Sequence, residues 1–172
     1  MRTLWQQCIR ALRHRWVGMA HPPLSADALQ RLATCVAASE QQHTGQMRVC
    51  VANRLPPSYL WRGASARDRA LTLFGKLRGW DTEHNNGVLI YLLRAEHAIE
   101  IVADRGVARC VDAAEWQSIV ARMAPGLRQS AYEATLAQAI DAVSAHLQAH
   151  FPRDAGTAST ANELPDTPLV IG

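Results

Sequence analysis

The sequence predicts an α/β fold, a three-layer α/β/α sandwich with a central mixed sheet of about four strands. Met47–Ala52 alternates in polarity like a strand, and a helical segment separates it from Val88–Leu93, a continuous apolar run typical of a strand buried on both faces. Four residues then lead to the alternating segment Ala98–Ala103, which indicates a hairpin. A helical crossover followed by a hairpin requires both parallel and antiparallel strand pairs.

The size and composition of the chain fit one such domain with an extension at each end. The chain has 172 residues, of which 48% are hydrophobic and 19% charged. Its apolar runs fall well short of the roughly 20 residues that a membrane-spanning helix needs. We therefore expect an N-terminal helix and linker over residues 1–24, a globular domain over 25–152 and a C-terminal tail over 153–172.

The first predicted element is an amphipathic basic helix over residues 4–16. Residues 1–62 carry eight arginines against two acids, so the positive charge of the chain is concentrated here. Two alternatives follow for the apolar stripe: it packs on the core of its own domain, or it binds a partner protein or an anionic membrane surface. The stripe consists of Leu4, Trp5, Cys8, Ile9, Leu12 and Trp16.

Composition and motif spacing also restrict location and partners. Arginines interrupt the apolar stretch that an export signal requires, so we expect a cytoplasmic protein, peripheral to the membrane if the first helix binds lipid. The four cysteines lie far apart without a C-x-x-C pair, which indicates buried thiols rather than a zinc or redox site. Basic residues are not interleaved with aromatic ones, and we expect no nucleic-acid partner.

Capping residues predict where the domain's first two helices begin. Ser25 is placed to cap a helix that runs to about Gln42. Ser65 and Asp68 have the spacing of a capping box, which opens a helix that ends near Gly79. The Pro-containing segment between the first strand and this helix, residues 55–63, is predicted to be a loop.

The C-terminal third predicts two more helices, over about 113–124 and 131–150, separated by Pro125-Gly126. Val107–Val111 is predicted to add a short edge strand. The apolar end of the tail, Leu169–Ile171, either joins the sheet at an edge or stays without regular structure. The capping boxes of the two helices are Asp112 with Glu115 and Ser130 with Glu133.

The hairpin predicts which polar residues come together. If Leu93 pairs with Ala98, then Asp104 lies opposite Gly87, and the loop before one strand meets the turn after the other. Clustered carboxylate and amide oxygens suit a hard cation, Ca²⁺ or Mg²⁺, although turns use the same residue types to cap their own backbone. The predicted ligands are Asp81, Glu83, Asn85, Asn86 and Asp104, with His84 and Arg105 close by.

Several segments resemble the TPM domain family over residues 25 to 170. The motifs NNGVLIYLL (residues 85–93) and IEIVADRGV (99–107) are the most specific, and SEQQHTGQMRVCV (39–51) is similar to the family's first helix and strand. The resemblance implies an α/β/α sandwich, divalent-cation binding and, in plant members, acid phosphatase activity. It favours Asp104 and Asn86 as ligands over Asp81 and Glu83. The sequence departs from the family at Gln46, where members often have Glu.

Two functions follow from these predictions. The first is a divalent-cation-binding module that acts through a protein or membrane-surface interaction. The second is a metal-dependent, acid-phosphatase-like hydrolase at the same rim, with Arg105 as phosphate clamp and His84 or Asp104 as proton carrier. The sequence has neither a Gly-rich phosphate loop nor a recognisable hydrolase nucleophile motif, so catalysis stays an open alternative.

Overall fold

The computed structural model describes residues 8–14, 24–153 and 164–172, and it confirms the α/β sandwich. A mixed sheet of four strands has the order β3-β2-β1-β4. β1 runs parallel to both β2 and β4, whereas β2 and β3 form the predicted antiparallel hairpin. The strands are β1 (Gln46–Ala52), β2 (Gly87–Leu93), β3 (Ala98–Ala103) and β4 (Leu169–Ile171).

Helices cover both faces of this sheet. The described part of the first helix, residues 8–14, is α1; residues 4–7 and 15–16 of that predicted helix lie outside the described residues. α2, α6 and α7 pack on one face, which includes Val49 and Ile90, while α3 and α4 pack on the other, which includes Leu89 and Tyr91. The remaining helices are α2 (Ala26–Glu40), α3 (Pro57–Trp61), α4 (Ala66–Lys76), α5 (Arg105–Ala108), α6 (Ala113–Arg128) and α7 (Tyr132–His150).

The predicted helix starts at Ser25 and Ser65 are confirmed. The Ser25 hydroxyl accepts a hydrogen bond from the N–H of Ala28, and Ser65 and Asp68 form the reciprocal capping box. Asp112 also caps its helix by accepting from the N–H of Glu115. These three predictions succeed because a cap depends on side chains only two or three residues away.

Five local predictions are wrong. Residues 107–108 are helical rather than extended, because Asp104 caps α5. α6 continues through Pro125 to Arg128. The proline removes one N–H donor near the end of the helix, where only one further turn follows. Ser130 has a left-handed backbone (φ +57°), so it cannot act as the N-cap of α7. The predicted loop at 55–63 contains α3, and the predicted burial of cysteines holds only for Cys50, since Cys8, Cys35 and Cys110 are exposed.

The hairpin register is confirmed at every pair that the sequence predicted. Leu93 lies opposite Ala98 and Val88 opposite Ala103, and the Asp104 N–H donates to the Gly87 carbonyl at 2.9 Å. Because β1 pairs in parallel with β2, the start of β1 reaches the same place. The starts of β1 and β2 and the end of β3 therefore lie together at one end of the sheet, which we call the rim.

The apolar end of the tail joins the sheet at an edge. β4 pairs in parallel with the carboxyl-terminal half of β1, from Cys50 to Ala52. None of the helices in the described ranges is long and apolar enough to cross a membrane.

Candidate functional site at the rim

Buried polar side chains concentrate at the rim. A polar group removed from water costs free energy unless it is hydrogen-bonded, so such a concentration in a small domain requires a local network or a ligand. The remaining buried polar residues are scattered over other elements. The rim group consists of Ser39, Glu40, His43, Gln46, Thr82, Asn86 and Asp104.

Asp104 presents a buried carboxylate oxygen at the end of β3. Its Oδ1 accepts the N–H of Arg105 at 2.7 Å, which caps α5. Its Oδ2 is buried and has no hydrogen-bond partner among the described residues. An unsatisfied carboxylate oxygen is costly to bury, so this atom is available to a cation or to a hydrogen-bond donor from outside the protein.

The loop before β2 packs directly on the turn that Asp104 begins. The Asn85 carbonyl accepts the N–H of Gly106 at 2.9 Å, and the Asn85 side-chain oxygen accepts from Arg105 Nη2 at 2.8 Å. A Cβ on Gly106 would lie 2.6 Å from the Asn85 carbonyl oxygen and 2.9 Å from that of His84, so only glycine permits this approach. The structure thus brings together Asp104, Arg105 and Asn85 with two main-chain oxygens.

Asn86 is engaged elsewhere on the rim. It is almost fully buried, and its Nδ2 donates to the main-chain oxygen of Thr44 at 3.0 Å. Its own N–H donates to the Thr82 hydroxyl at 3.0 Å. Asn86 therefore ties the start of β2 to the residues before β1.

The other predicted ligands lie on the surface. Asp81, Glu83 and His84 are exposed, and the Asp81 carboxylate lies 3.6 Å from Nη1 of Arg78. Within the described ranges, no group of three or more His, Cys, Asp or Glu side chains is arranged to hold a metal ion. Among the acids predicted as ligands, only Asp104 is buried.

A second polar cluster at the rim was not predicted. Glu40 is buried, and its Oε1 accepts the N–H of Met47 at 2.7 Å. Burial raises the pKa of Glu40 to about 7; the nearby Asp166 carboxylate adds to the rise, and the Met47 N–H opposes it. The signal was present in the sequence, because Glu40 continues the buried stripe of α2 four residues after Val36.

His43 is the centre of this cluster. Its Nδ1 lies 3.0 Å from the Gly45 carbonyl oxygen, and its Nε2 lies 2.8 Å from the Ser39 hydroxyl. Burial lowers the pKa of His43 to about 4, so the ring is neutral near pH 7. A neutral ring that donates from Nδ1 to Gly45 must accept at Nε2 from Ser39. This geometry joins the end of α2 to the start of β1.

The C-terminal tail crosses the same part of the rim. The Leu164 N–H donates to the Gln46 side-chain oxygen at 3.2 Å, and Arg48 Nη1 donates to the Pro165 carbonyl at 2.8 Å. Gln46 thereby holds a main-chain N–H of the tail.

Comparison with known proteins agrees with this architecture. The family model for the TPM domain matches residues 23–146. The BA42 protein of the psychrophilic bacterium Bizionia argentinensis superposes with a TM-score of 0.74 at 22% identity, over 89% of this chain and 99% of that one. The N-terminal domain of a protein from P. gingivalis gives 0.62 at 18% identity, over 76% and 82% of the two chains. No functionally curated protein matches the sequence. The family match covers most of the chain, and the protein belongs to the TPM domain family.

Proposed function

We propose that this protein is a divalent-cation-binding module in which the turn that begins at Asp104 binds the ion. The observation that carries the proposal is the Asp104 Oδ2 atom, a buried carboxylate oxygen without a hydrogen-bond partner among the described residues. A cation bound there would neutralise the carboxylate and replace the solvent lost on burial.

The chemistry of the neighbouring atoms supports a hard cation. The main-chain oxygens of His84 and Asn85 face Gly106, two residues after Asp104, and the side chains of Asn85 and Asp104 add further oxygens. Such a mixture of one carboxylate with neutral oxygens is typical of Ca²⁺ sites with irregular geometry, whereas Mg²⁺ demands a stricter octahedron and retains more water. A single buried carboxylate implies weak binding, with a dissociation constant of roughly 0.1–1 mM.

A metal-dependent phosphate-ester hydrolase is the second candidate, and the position of Arg105 favours it. The Arg105 side chain is exposed, begins one residue after Asp104 and is oriented by the Asn85 side-chain oxygen. A guanidinium held beside a cation site is suited to bind the equatorial oxygens of a phosphate group. A bound cation would supply charge neutralisation for the same group.

Thermal melting during titration with CaCl₂ and MgCl₂ tests the primary proposal. We expect Ca²⁺ at about ten times its dissociation constant to stabilise the wild type by about 1.4 kcal/mol, a rise in Tm of several degrees. Asp104→Asn retains the shape and the cap acceptor but removes the charge, so it should abolish this rise. Asp81→Asn, an exposed acid in the adjoining loop, is the matched control and should behave like the wild type.

Hydrolysis of para-nitrophenyl phosphate between pH 4 and 8 separates the two candidates. Turnover that needs metal and is lost in both Asp104→Asn and Arg105→Gln would establish the hydrolase. Metal-dependent stabilisation without turnover would leave the binding module, and identical melting with and without metal would reject the proposed cation site.

A further inference from the structure

α1 is attached to the domain by its polar side chains. Arg10 Nη2 donates to the Ala64 carbonyl at 2.7 Å, and the Arg10 Nε also binds Glu96. His14 is 2% exposed: its Nδ1 accepts the N–H of Leu55 at 3.0 Å, and its Nε2 lies 2.9 Å from the Glu96 carboxylate. A ring that accepts at Nδ1 carries its proton on Nε2, so His14 donates to Glu96.

This attachment turns the apolar side of α1 away from the domain. Ile9 is 41% exposed and Leu12 is 55% exposed. Of the two alternatives for the apolar stripe, packing on the domain's own core is therefore wrong for residues 8–14. When the polar side of an amphipathic helix binds its own domain, the apolar side is available to bind another surface.

α3 extends this apolar surface beside α1. Ala11 and His14 of α1 line one groove together with Pro57 and Leu60 of α3, which shows that the two helices are neighbours. The next residue of α3, Trp61, is 90% exposed. The ring is the largest apolar side chain, so Trp61 adds a large apolar area to the surface beside α1.

Arginines surround these side chains, and the exposed acid Asp68 of α4 lies beside Arg62. Arg13, Arg54 and Arg62 are all exposed. The segments 8–14 and 53–63, which form this surface, contain no Asp or Glu. Exposed aliphatic and Trp side chains interspersed with arginines are typical of surfaces that lie on an anionic lipid headgroup layer.

We propose that the protein binds the surface of an anionic phospholipid bilayer through the α1–α3 surface, defined as Ile9, Leu12, Arg13, Arg54, Trp61 and Arg62. The apolar side chains enter the boundary between headgroups and acyl chains, and the arginines bind lipid phosphates. This surface adjoins the carboxyl ends of β1 and β2, opposite the rim, because Leu55 and Glu96 follow those strands. Membrane binding is therefore independent of the proposed cation site.

Vesicle flotation tests the proposal directly. Wild-type protein is mixed with vesicles of phosphatidylcholine alone or with 30–40% phosphatidylglycerol, in buffer without divalent cations. We expect flotation with the anionic vesicles, weaker flotation with neutral ones, and loss of binding as salt increases, since headgroup attraction is screened. Each of Arg54→Gln and Arg62→Gln should lower the partition coefficient by roughly fivefold.

Variants of the exposed side chains decide whether this surface is responsible. Ile9→Ser/Leu12→Ser and Trp61→Ser should each weaken binding by about tenfold or more. Trp80→Ser is the matched control, because Trp80 is 53% exposed but lies next to the rim, and it should bind like the wild type. The replaced side chains are exposed, and circular dichroism verifies that each variant is folded. Wild-type protein that fails to float with anionic vesicles, or an Ile9/Leu12 double variant that floats like the wild type, overturns the proposal. Self-association through this surface without vesicle binding also overturns it.

Discussion

The side-chain nitrogen of Asn86 donates a hydrogen bond to the main-chain oxygen of Thr44, 3.0 Å away, and so joins the start of β2 to the segment before β1. The two residues are 42 positions apart in the chain. This contact gives Asn86 a structural role whether or not it also binds a ligand.

Replacement of Asn86 should destabilise the domain. Asn86→Ala removes the buried amide that donates to the Thr44 carbonyl, which costs about 1–3 kcal/mol. Urea denaturation measures the change in the free energy of unfolding. Asn85 has a left-handed backbone (φ +51°), so the control is Asn85→Gly, which removes the contact to the exposed Arg105 without backbone strain and should cost well under that amount. Equal losses in both variants would contradict the interpretation.

Two glycines should respond to alanine with opposite signs. An added Cβ at Gly87 would lie 2.0 Å from the main-chain oxygen of Gly79. Gly87→Ala therefore pushes these two backbone segments apart, and it should lower the free energy of unfolding by about 3 kcal/mol or disrupt the pairing of β2. Gly75 lies in α4 with open space at its Cβ, and Gly75→Ala should stabilise by about 0.5–1 kcal/mol. Thermal melting of both variants checks the pair of signs; stabilisation by Gly87→Ala would refute the close approach.

Glu40 and His43 should contribute to the pH dependence of stability with opposite signs. The raised pKa of Glu40, about 7, gives stability that is complete below about pH 4.5 and is lost as the pH rises through 7. The lowered pKa of His43, about 4, gives stability that is complete above about pH 6.5 and is lost as the pH falls through 4. In the wild type these two contributions oppose each other between pH 4.5 and 6.5.

Glu40→Gln retains an acceptor for the Met47 N–H but removes the ionisable group. The difference in unfolding free energy between variant and wild type should therefore shift in favour of the variant as the pH rises from 4.5 to 7, by up to about 3 kcal/mol. Urea denaturation at half-unit pH intervals gives this difference. Parallel stability curves for the two proteins would show that Glu40 titrates normally in the folded state.

Glu96 should control the attachment of α1. Burial alone raises the pKa of Glu96, but the hydrogen bonds and charges of His14 and Arg10 outweigh burial and lower it to about 2. The stability that Glu96 contributes to this attachment is thus complete above about pH 4.5 and is lost as the pH falls through 2.

Glu96→Gln removes the charge that both α1 residues bind, and we expect trypsin at neutral pH to cleave after Arg13 about tenfold faster or more. Glu100→Gln is the matched control, because Glu100 lies 3.7 Å from Arg67 and does not contact α1. Equal cleavage rates in wild type and Glu96→Gln would show that α1 is held by other contacts.

Much of the fold was predictable from the sequence because it depends on local patterns. The strand at 47–52, the hairpin at 88–103 and the caps at Ser25 and Ser65 each follow from side chains a few residues apart. The register of the hairpin follows from its short connection, and it correctly predicted that the end of β3 meets the start of β2. The sequence alone therefore predicts the position of the rim.

Contacts between residues far apart in the sequence decide which side chains come together at the rim. Asn86 and Asn85 are adjacent in one loop but have different partners, since the Asn86 side chain donates to the Thr44 carbonyl and the Asn85 side chain accepts from Arg105. Glu40 and the tail residues near Asp166 are also brought together by the rim, across more than a hundred positions. No periodicity in either segment indicates the other.

The sequence by itself determined β1, β2 and β3, the hairpin register and the amphipathic character of the first helix, because these properties depend on side-chain periodicity and on short connections. Only the tertiary structure decided which side of that helix meets the domain. Glu96, Leu55 and Ala64 offer α1 hydrogen-bonding partners for Arg10 and His14, so the polar side chains are the ones that attach it. The apolar side is exposed for that reason, and the burial of an amphipathic helix depends on its partner as much as on its own pattern.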